Sequence, residues 1–422
     1  MLLKMNKNYY SYNMSDNIFI SDLQIHSKYS FATSKHMDIF NIAKYANIKG
    51  LNIVGTGDIT HPTWLAELKK NLIEYYDSEL YVLKNSNINI KFILSGEVST
   101  IYRVNKKSKK IHHCLLIPNF DVALQVYDAL KFHGKLKSDG RPIIKISSPE
   151  LVELLKSISK KIEIYPAHIW TPWFGLLGSK SGFDSIKDCY LDQLHNIFAI
   201  ETGLSSDPYM NRRISALDRF SILSNSDCHS PYTHRLGREA NVMKLVNCTY
   251  NEIINAIRQT SSSKILFTLE TNPEYGKYHW SGHKSCNVSV SPVNYAENRI
   301  CYECGKQFTE GVAQRIEELS DRNIEYAISH SPSFKYIIPL TEIIANVKNV
   351  ENPLSTSVQQ VYEILINNFG NEFNVILNTP IKQIVDVAGA KIGNYITALR
   401  DNTYQVKPGY DGVYGKLIFN QC

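Results

Sequence analysis

The sequence predicts an α/β fold built on a mainly parallel sheet or barrel, and two observations carry that reading. From residue 18 to about 270, short apolar strands alternate with helical patterns, the mark of repeated βα units. The polar residues suited to chemistry fall just after those apolar runs, where barrel sites lie. A third observation bounds the unit: from about residue 272 the periodicity fades and His, Cys, Gly and Tyr become frequent.

In order, the expected strands are IFISDLQIHS, GLNIVGTGD, IKFILSGEVST, KIHHCLLIP, KIEIYPAHI, IFAIETG, FSILSNSDCHS and SKILFTLE, with helices such as SKHMDIFNIAKYANIKG and TYNEIINAIRQT between several of them. In the first strand, residues two apart share a face, so Asp22, Gln24 and His26 are expected on one side and Leu23 and Ile25 on the other. The cluster Lys106-Lys107-Ser108-Lys109-Lys110 falls between two strands and reads as a solvated hairpin tip. Beyond 272, TEGVAQRIEELSDR and SVQQVYEILINNFGNEFNVIL read as helices, and YITALRDNTYQVKPGYDGVYGKLIF as a helix followed by a short hairpin. The expected organisation is an N-terminal extension over 1–17, an α/β domain over 18–271, a small metal-binding segment over 272–310 and a mainly helical C-terminal domain over 311–422.

A length of 422 residues exceeds one ordinary core. The formal charge of +6 is mildly basic and compatible with an anionic partner. No apolar run approaches a membrane span, and the N-terminal stretch lacks the pattern of a signal peptide, so a cytoplasmic monomer is expected. Of the eight cysteines, three lie close together at 286, 301 and 304, which points to metal rather than disulfides.

His26, Asp58, His61, Glu97, His112 or His113, His168, Asp227 and His229 all stand at strand ends. Imidazoles mixed with carboxylates suit Zn, Mn or Fe, and a carboxylate can bridge two ions. Three polar groups at the end of one buried strand are costly unless something satisfies them. Farther on, His283-x-x-Cys286 and Cys301-x-x-Cys304-Gly305 have the form of a zinc ribbon. Its closed ligand set makes this zinc structural, with His279 the second candidate for the fourth ligand. The aromatics Trp170, Trp173 and Phe174 read equally as base-stacking groups or as a hydrophobic lip. Arg212, Arg213, Arg235 and Arg238 flank the late motifs as candidate phosphate contacts. Tyr410 and Tyr414 lie in a glycine-rich hairpin, VKPGYDGVYG, as stacking candidates.

DLQIHSKYS resembles the first motif of the PHP (polymerase and histidinol phosphatase) superfamily, and SNSDCHSP its last. ATSKHMDI, GTGDITHP, PAHIWTPWFGLLGSKSGFDSI, ETGLSSDPYMNRRISALDRF, SNSDCHSPYTHRLGREAN, YHWSGHKSC and PGYDGVYGKL together resemble endonuclease Q, over roughly residues 18–422. That resemblance implies a PHP-type distorted (β/α)7-like barrel, a small zinc-binding segment and a mainly helical C-terminal domain that binds DNA. It implies two or three divalent ions (Zn, Mn, Mg or Fe) in the barrel besides one structural zinc. The implied activity is nicking of DNA 5′ to deaminated bases (uracil, hypoxanthine, xanthine) or abasic sites, by attack of metal-activated water. Carried over by motif, His26, Asp58, His61, Glu97, His113, His168, Asp227 and His229 are the expected ligands and catalytic residues, with His112 the alternative to His113 and Glu201 a further candidate. Gln24 departs from the family, which has His there, so one ion is expected to bind less tightly. A sliding clamp is a candidate partner through the resemblance, although the final GKLIFNQC carries no persuasive docking peptide. The competing readings are a small-molecule phosphoesterase of the histidinol phosphatase kind, and a protein that binds damaged DNA without cutting it.

Overall fold

The computed structural model of the chain describes residues 17–297 and 299–418. The expected N-terminal extension therefore lies outside the described residues except for Asn17, as do the last four residues of GKLIFNQC.

Seven strands form a ring: β1 (Ile18–Asp22), β2 (Ile53–Gly55), β3 (Lys91–Val104), β4 (Lys107–Ile117), β5 (Glu163–Pro166), β6 (Ala199–Glu201) and β7 (Ser221–Leu223). β1, β2 and β3 pair in parallel, as do β6 and β7. β4 is the exception to the expected parallel order, because it runs antiparallel to both β3 and β5. The cause is local: Asn105 and Lys106 both have positive φ, at 49° and 65°, which is the two-residue turn that folds a strand straight back. The lysine cluster thus starts in the turn at Lys106 and continues into β4.

Two seams interrupt the ring, between β5 and β6 and between β7 and β1. Each is closed by backbone bonds beyond the strand ends, Ile169 N to Glu201 O at one, and His26 N to Cys228 O with Asp227 N to Gln24 O at the other, all at 3.1 Å. Every strand or strand end sends an apolar side chain inward: Leu23, Ile53, Ile93, Cys114 and Leu116, Tyr165, Ala199 and Leu223 belong to one buried cluster. Helix Tyr250–Arg258 plugs the end remote from the site, and its Tyr250 hydroxyl donates to the carbonyls of Leu116 and Lys161. A second, larger cluster lies between the strands and the outer helices. Ile25 belongs to that cluster while Leu23 belongs to the inner one. The expected alternation therefore fails after Asp22, where β1 stops and the chain turns.

The sheet continues past the ring. Strand Ala240–Lys244 pairs antiparallel with β1, and Lys264–Glu270 with Ala240–Lys244. Phe334–Tyr336 adds in parallel to Lys264–Glu270, so a strand from beyond residue 311 extends the sheet of the α/β domain. The remaining chain is mainly helical (Leu340–Val347, Thr356–Phe369, Ile381–Ala388 and Ala390–Arg400) and ends in the hairpin Gln405–Lys407 and Lys416–Ile418. A buried ion pair ties this region to the barrel. Lys49 Nζ lies 2.7 Å from Glu372 Oε1 and donates to Thr233 O, while Glu372 also accepts from Tyr362 and from Leu340 N. Among the described residues no helix is long and apolar enough to cross a membrane.

Candidate metal centre

Three of the expected residues adopt left-handed backbone angles at the mouth of the ring: Asp58 at φ 48°, His168 at 28° and Asp227 at 47°. Such angles cost roughly 1–3 kcal/mol each for a non-glycine residue and persist only where the surroundings dictate them. Here they do. The Asp58 carboxylate accepts from Ser27 N, Ser27 Oγ and Ser30 Oγ, His168 N donates to Glu201 Oε2, and Asp227 N donates to Gln24 O.

Glu97 stands between two groups of ligand atoms and gives one oxygen to each. Its Oε2 lies 3.1 Å from His26 Nε2, which in turn is 2.9 Å from Asp227 Oδ1. Its Oε1 lies 2.5 Å from His112 Nδ1 and 3.6 Å from His168 Nε2, and those two ring nitrogens are 3.1 Å apart. His229 joins the first group, with its ring centroid 4.5 Å from that of His26. The imidazoles and carboxylates balance one another: burial lowers His26 and His168, but hydrogen bonds to Asp227, Asp58 and Glu97 hold His26 well above the ordinary imidazole range, and Glu97 raises His168. Burial pushes His112 down to about 4 against the pull of Glu97. Burial would raise Glu97, but its neighbours His112 and Arg141 outweigh it and hold the carboxyl well below the usual range.

Asp58 takes a different place. Its Oδ1 lies 3.1 Å from His26 Nδ1, on the far side of the imidazole from Glu97 and Asp227. A carboxylate on the remote nitrogen fixes the ring's tautomer and aim. His61 is not brought to either group. Its ring stacks on Tyr29 at 4.4 Å, its Nδ1 accepts from Trp64 N to cap helix Pro62–Asn71, and its Nε2 meets Lys137 O. Glu201 bridges His168 N and Asn225 Nδ2, and burial pushes it up to about 8. Asp22, expected beside Gln24 and His26, instead accepts from Ser226 N and Gly237 N, and burial raises it to about 6.

The β3–β4 register decides between the two adjacent histidines. Ser99 faces His112 and Val98 faces His113, so His112 shares the face of Glu97 while His113 points the other way. His113 is bound to Tyr190, Thr100 and Ser148 in a buried polar knot, and burial lowers it to about 3. Of the two adjacent histidines, the structure thus brings His112 to Glu97 and His168, and leaves His113, the expected one, outside the group.

Gln24 supplies the test of whether a cation fits. Its Nε2 donates to Glu97 Oε2 at 3.1 Å, while its buried Oε1 has no hydrogen-bond partner. An orphaned amide oxygen beside converging imidazoles and carboxylates is the donor set of a metal site. Arg141 escaped the sequence reading; its Nη1 lies 3.7 Å from Glu97 Oε2. Its one sequence signal is the turn DGRP, which does not name a target.

In the second cluster, His283, Cys286, Cys301 and Cys304 bring their ligand atoms within 4.8 Å of one another. Gly305 N donates to Cys301 O, and Gly305 has φ 70°, the left-handed turn that such a knuckle needs. His279 lies outside the group.

Of the expected DNA contacts, five are used internally. Trp170 is fully buried and donates to Asn211, Arg212 holds the carbonyls of Leu217 and Phe220, and Arg213 pairs with Glu317. Arg238 donates twice to Ser226 O and so braces the loop carrying Asp227, while Tyr410 is buried and bound to Asn287. Trp173 and Tyr414 remain exposed, and Arg235 lies 3.7 Å from Glu342 with its side chain one-third exposed.

Residues 339–403 match the family described as the MJ0043 C-terminal domain. The chain is 34% identical over 256 residues to the protein MJ0043 of Methanocaldococcus jannaschii, spanning 59% of this chain and 31% of that one. It is 27% identical over 379 residues to the protein YqxK of Bacillus subtilis, spanning 87% and 89%. The chain thus spans about a third of the length of MJ0043 and most of YqxK. Among solved structures, it is similar to the lesion-specific endonuclease PfuEndoQ of Pyrococcus furiosus, with 33% identity, a TM-score of 0.84 and 96% of each chain covered. A structure of endonuclease Q with a 27-mer duplex carrying an abasic lesion at the active site matches at the same identity and TM-score, covering 96% of this chain and 97% of that one. With both the barrel and the helical region aligned over nearly the whole length, the chain belongs to the endonuclease Q family.

Proposed function

We propose that this protein is a metal-dependent endonuclease that nicks DNA on the 5′ side of a deaminated base or an abasic site. One observation carries the reading: Glu97 gives one oxygen to His26 and the other to His112, which suits a carboxylate shared by two cations. The whole-length kinship with a lesion-specific endonuclease supports DNA as the substrate.

His26, Asp227 and His229 would hold one ion, and Glu97, His112 and His168 another, with Gln24 Oε1 a neutral donor between them. Divalent ions there supply Lewis-acid charge at the scissile phosphate and lower the pKa of an attacking water. The chain's own groups do the rest. Asp58 aims His26, Glu201 holds the His168 backbone, and Arg238 braces the Asp227 loop. The second cluster would hold a zinc that organises its loop-rich segment. Trp173 and Tyr414 are the exposed aromatics left to meet DNA.

The test is a nicking assay on end-labelled duplexes carrying one uracil, hypoxanthine or abasic site, with Mg²⁺, Mn²⁺ or Zn²⁺, comparing the natural chain with Gln24→His. Nicking 5′ to the lesion is expected from both, with the His variant needing roughly tenfold less metal, and chelation should abolish it. Duplex binding without nicking by either chain would favour a non-cleaving binder. Hydrolysis of small phosphomonoesters in place of DNA would return the reading to a small-molecule phosphoesterase.

A further inference from the structure

Arg141 is the basic side chain that reaches the metal centre, and its placement is built rather than incidental. It follows a loop pinned at four points. Asp139 Oδ1 accepts from Phe31 N and from Arg141 N, both at 3.1 Å, Gly140 N donates to Tyr29 O at 3.0 Å, and Pro142 O accepts from Ser99 N at 2.9 Å. Gly140 seats the loop against the centre itself: a Cβ there would fall 2.2 Å from Asp58 Oδ2 and 2.4 Å from Ser30 Oγ. Only glycine lets the backbone come this close, and that approach carries the next residue to Glu97.

A guanidinium carries five donors. The Arg141 group lies 3.7 Å from Glu97 Oε2, too far for a hydrogen bond, and among the described residues no other carboxylate pairs with it. Its side chain is 24% exposed while that of Glu97 is fully buried, so it faces both the centre and the solvent. Cations on Glu97 and Asp227 would use up the carboxylate charge that now attracts Arg141. The arginine would then stand beside like charges, and an anion shared with those cations would relieve the repulsion. A phosphodiester oxygen has the required charge and matches a guanidinium in shape.

We propose that Arg141 is a catalytic residue that donates to a non-bridging oxygen of the scissile phosphate and stabilises the charge that builds there during attack. This rests on the nuclease reading above. The experiment compares single-turnover nicking of an abasic duplex by the full-length natural chain, Arg141→Lys and Arg141→Ala at saturating divalent metal, with metal content and melting temperature measured on each. Arg141→Ala should lose roughly 10²-fold in rate, Arg141→Lys should lose less, and both should keep their metal and melting temperature. Added guanidinium ion should restore part of the alanine variant's rate and leave the natural chain unchanged. An alanine variant within threefold of the natural rate overturns the proposal. So does a loss that follows lost metal and resists guanidinium, because Arg141 would then only hold Glu97. A natural chain that does not nick at all overturns the nuclease reading, and the proposal with it.

Discussion

Replacing His112 by alanine removes one of the two imidazoles beside Glu97 Oε1. Replacing His113 empties the polar knot of Tyr190, Thr100 and Ser148. The two losses should separate cleanly. His112→Ala should lose nicking by 10²-fold or more, roughly the cost of losing a group that acts on developing charge, and should release metal while the fold stays near natural stability. His113→Ala should keep its metal and lose about 1–3 kcal/mol of stability, the penalty for orphaned buried partners. Metal analysis and denaturant unfolding on the same samples check both. Sequence alone could not choose between these neighbours. Strand parity assigns them to opposite faces, but which face looks inward depends on the partner, and Ser99 opposite His112 is a cross-strand fact.

At the scale of the element, the eight strands expected from apolar runs all form, because each run is bounded and at least partly buried. The loops after β1, β5 and β7, which carry His26, His168, Asp227 and His229 to the mouth of the ring, were legible for the same reason. The strand Phe334–Tyr336 was not, since three residues with mixed exposure carry no period. The reversed direction of β4 was hidden in two turn residues, Asn105 and Lys106. The aromatic and arginine assignments failed more often, because residue type does not reveal burial: Trp170 and Arg212 serve the interior. The cysteine spacing transferred well, because a tight turn and two thiols are almost the whole device. Its consequence can be measured. Cys301→Ser removes a buried thiol from the four-ligand set and should cost one equivalent of zinc. It should open residues 272–310 to protease while far-UV circular dichroism of the barrel changes little.

At the scale of the whole molecule, the barrel and the helical C-terminal region share the Lys49–Glu372 pair, with both side chains fully buried. Breaking one side of such a pair leaves an uncompensated charge and costs about 3–5 kcal/mol. Lys49→Met and Glu372→Gln should each destabilise the chain in thermal or denaturant unfolding. The double variant should be markedly less than additive, because removing both ends removes the stranded charge. Additive losses would mean that the two residues stabilise their domains separately. The pair also touches Thr233 O, in the stretch that follows His229, so the C-terminal region leans on the loop that bears two of the metal-facing residues.

The seams of the ring give the centre a further property. At its two gaps the barrel is closed not by long ladders but by one backbone bond at Glu201 and two at the seam of Gln24, His26 and Asp227. The bonds that close the barrel therefore run through the same stretches of chain that carry the centre. A cation seated among those residues would act as a clasp on a split hoop: it would be held by the closed ring, and the ring would be held closed by it.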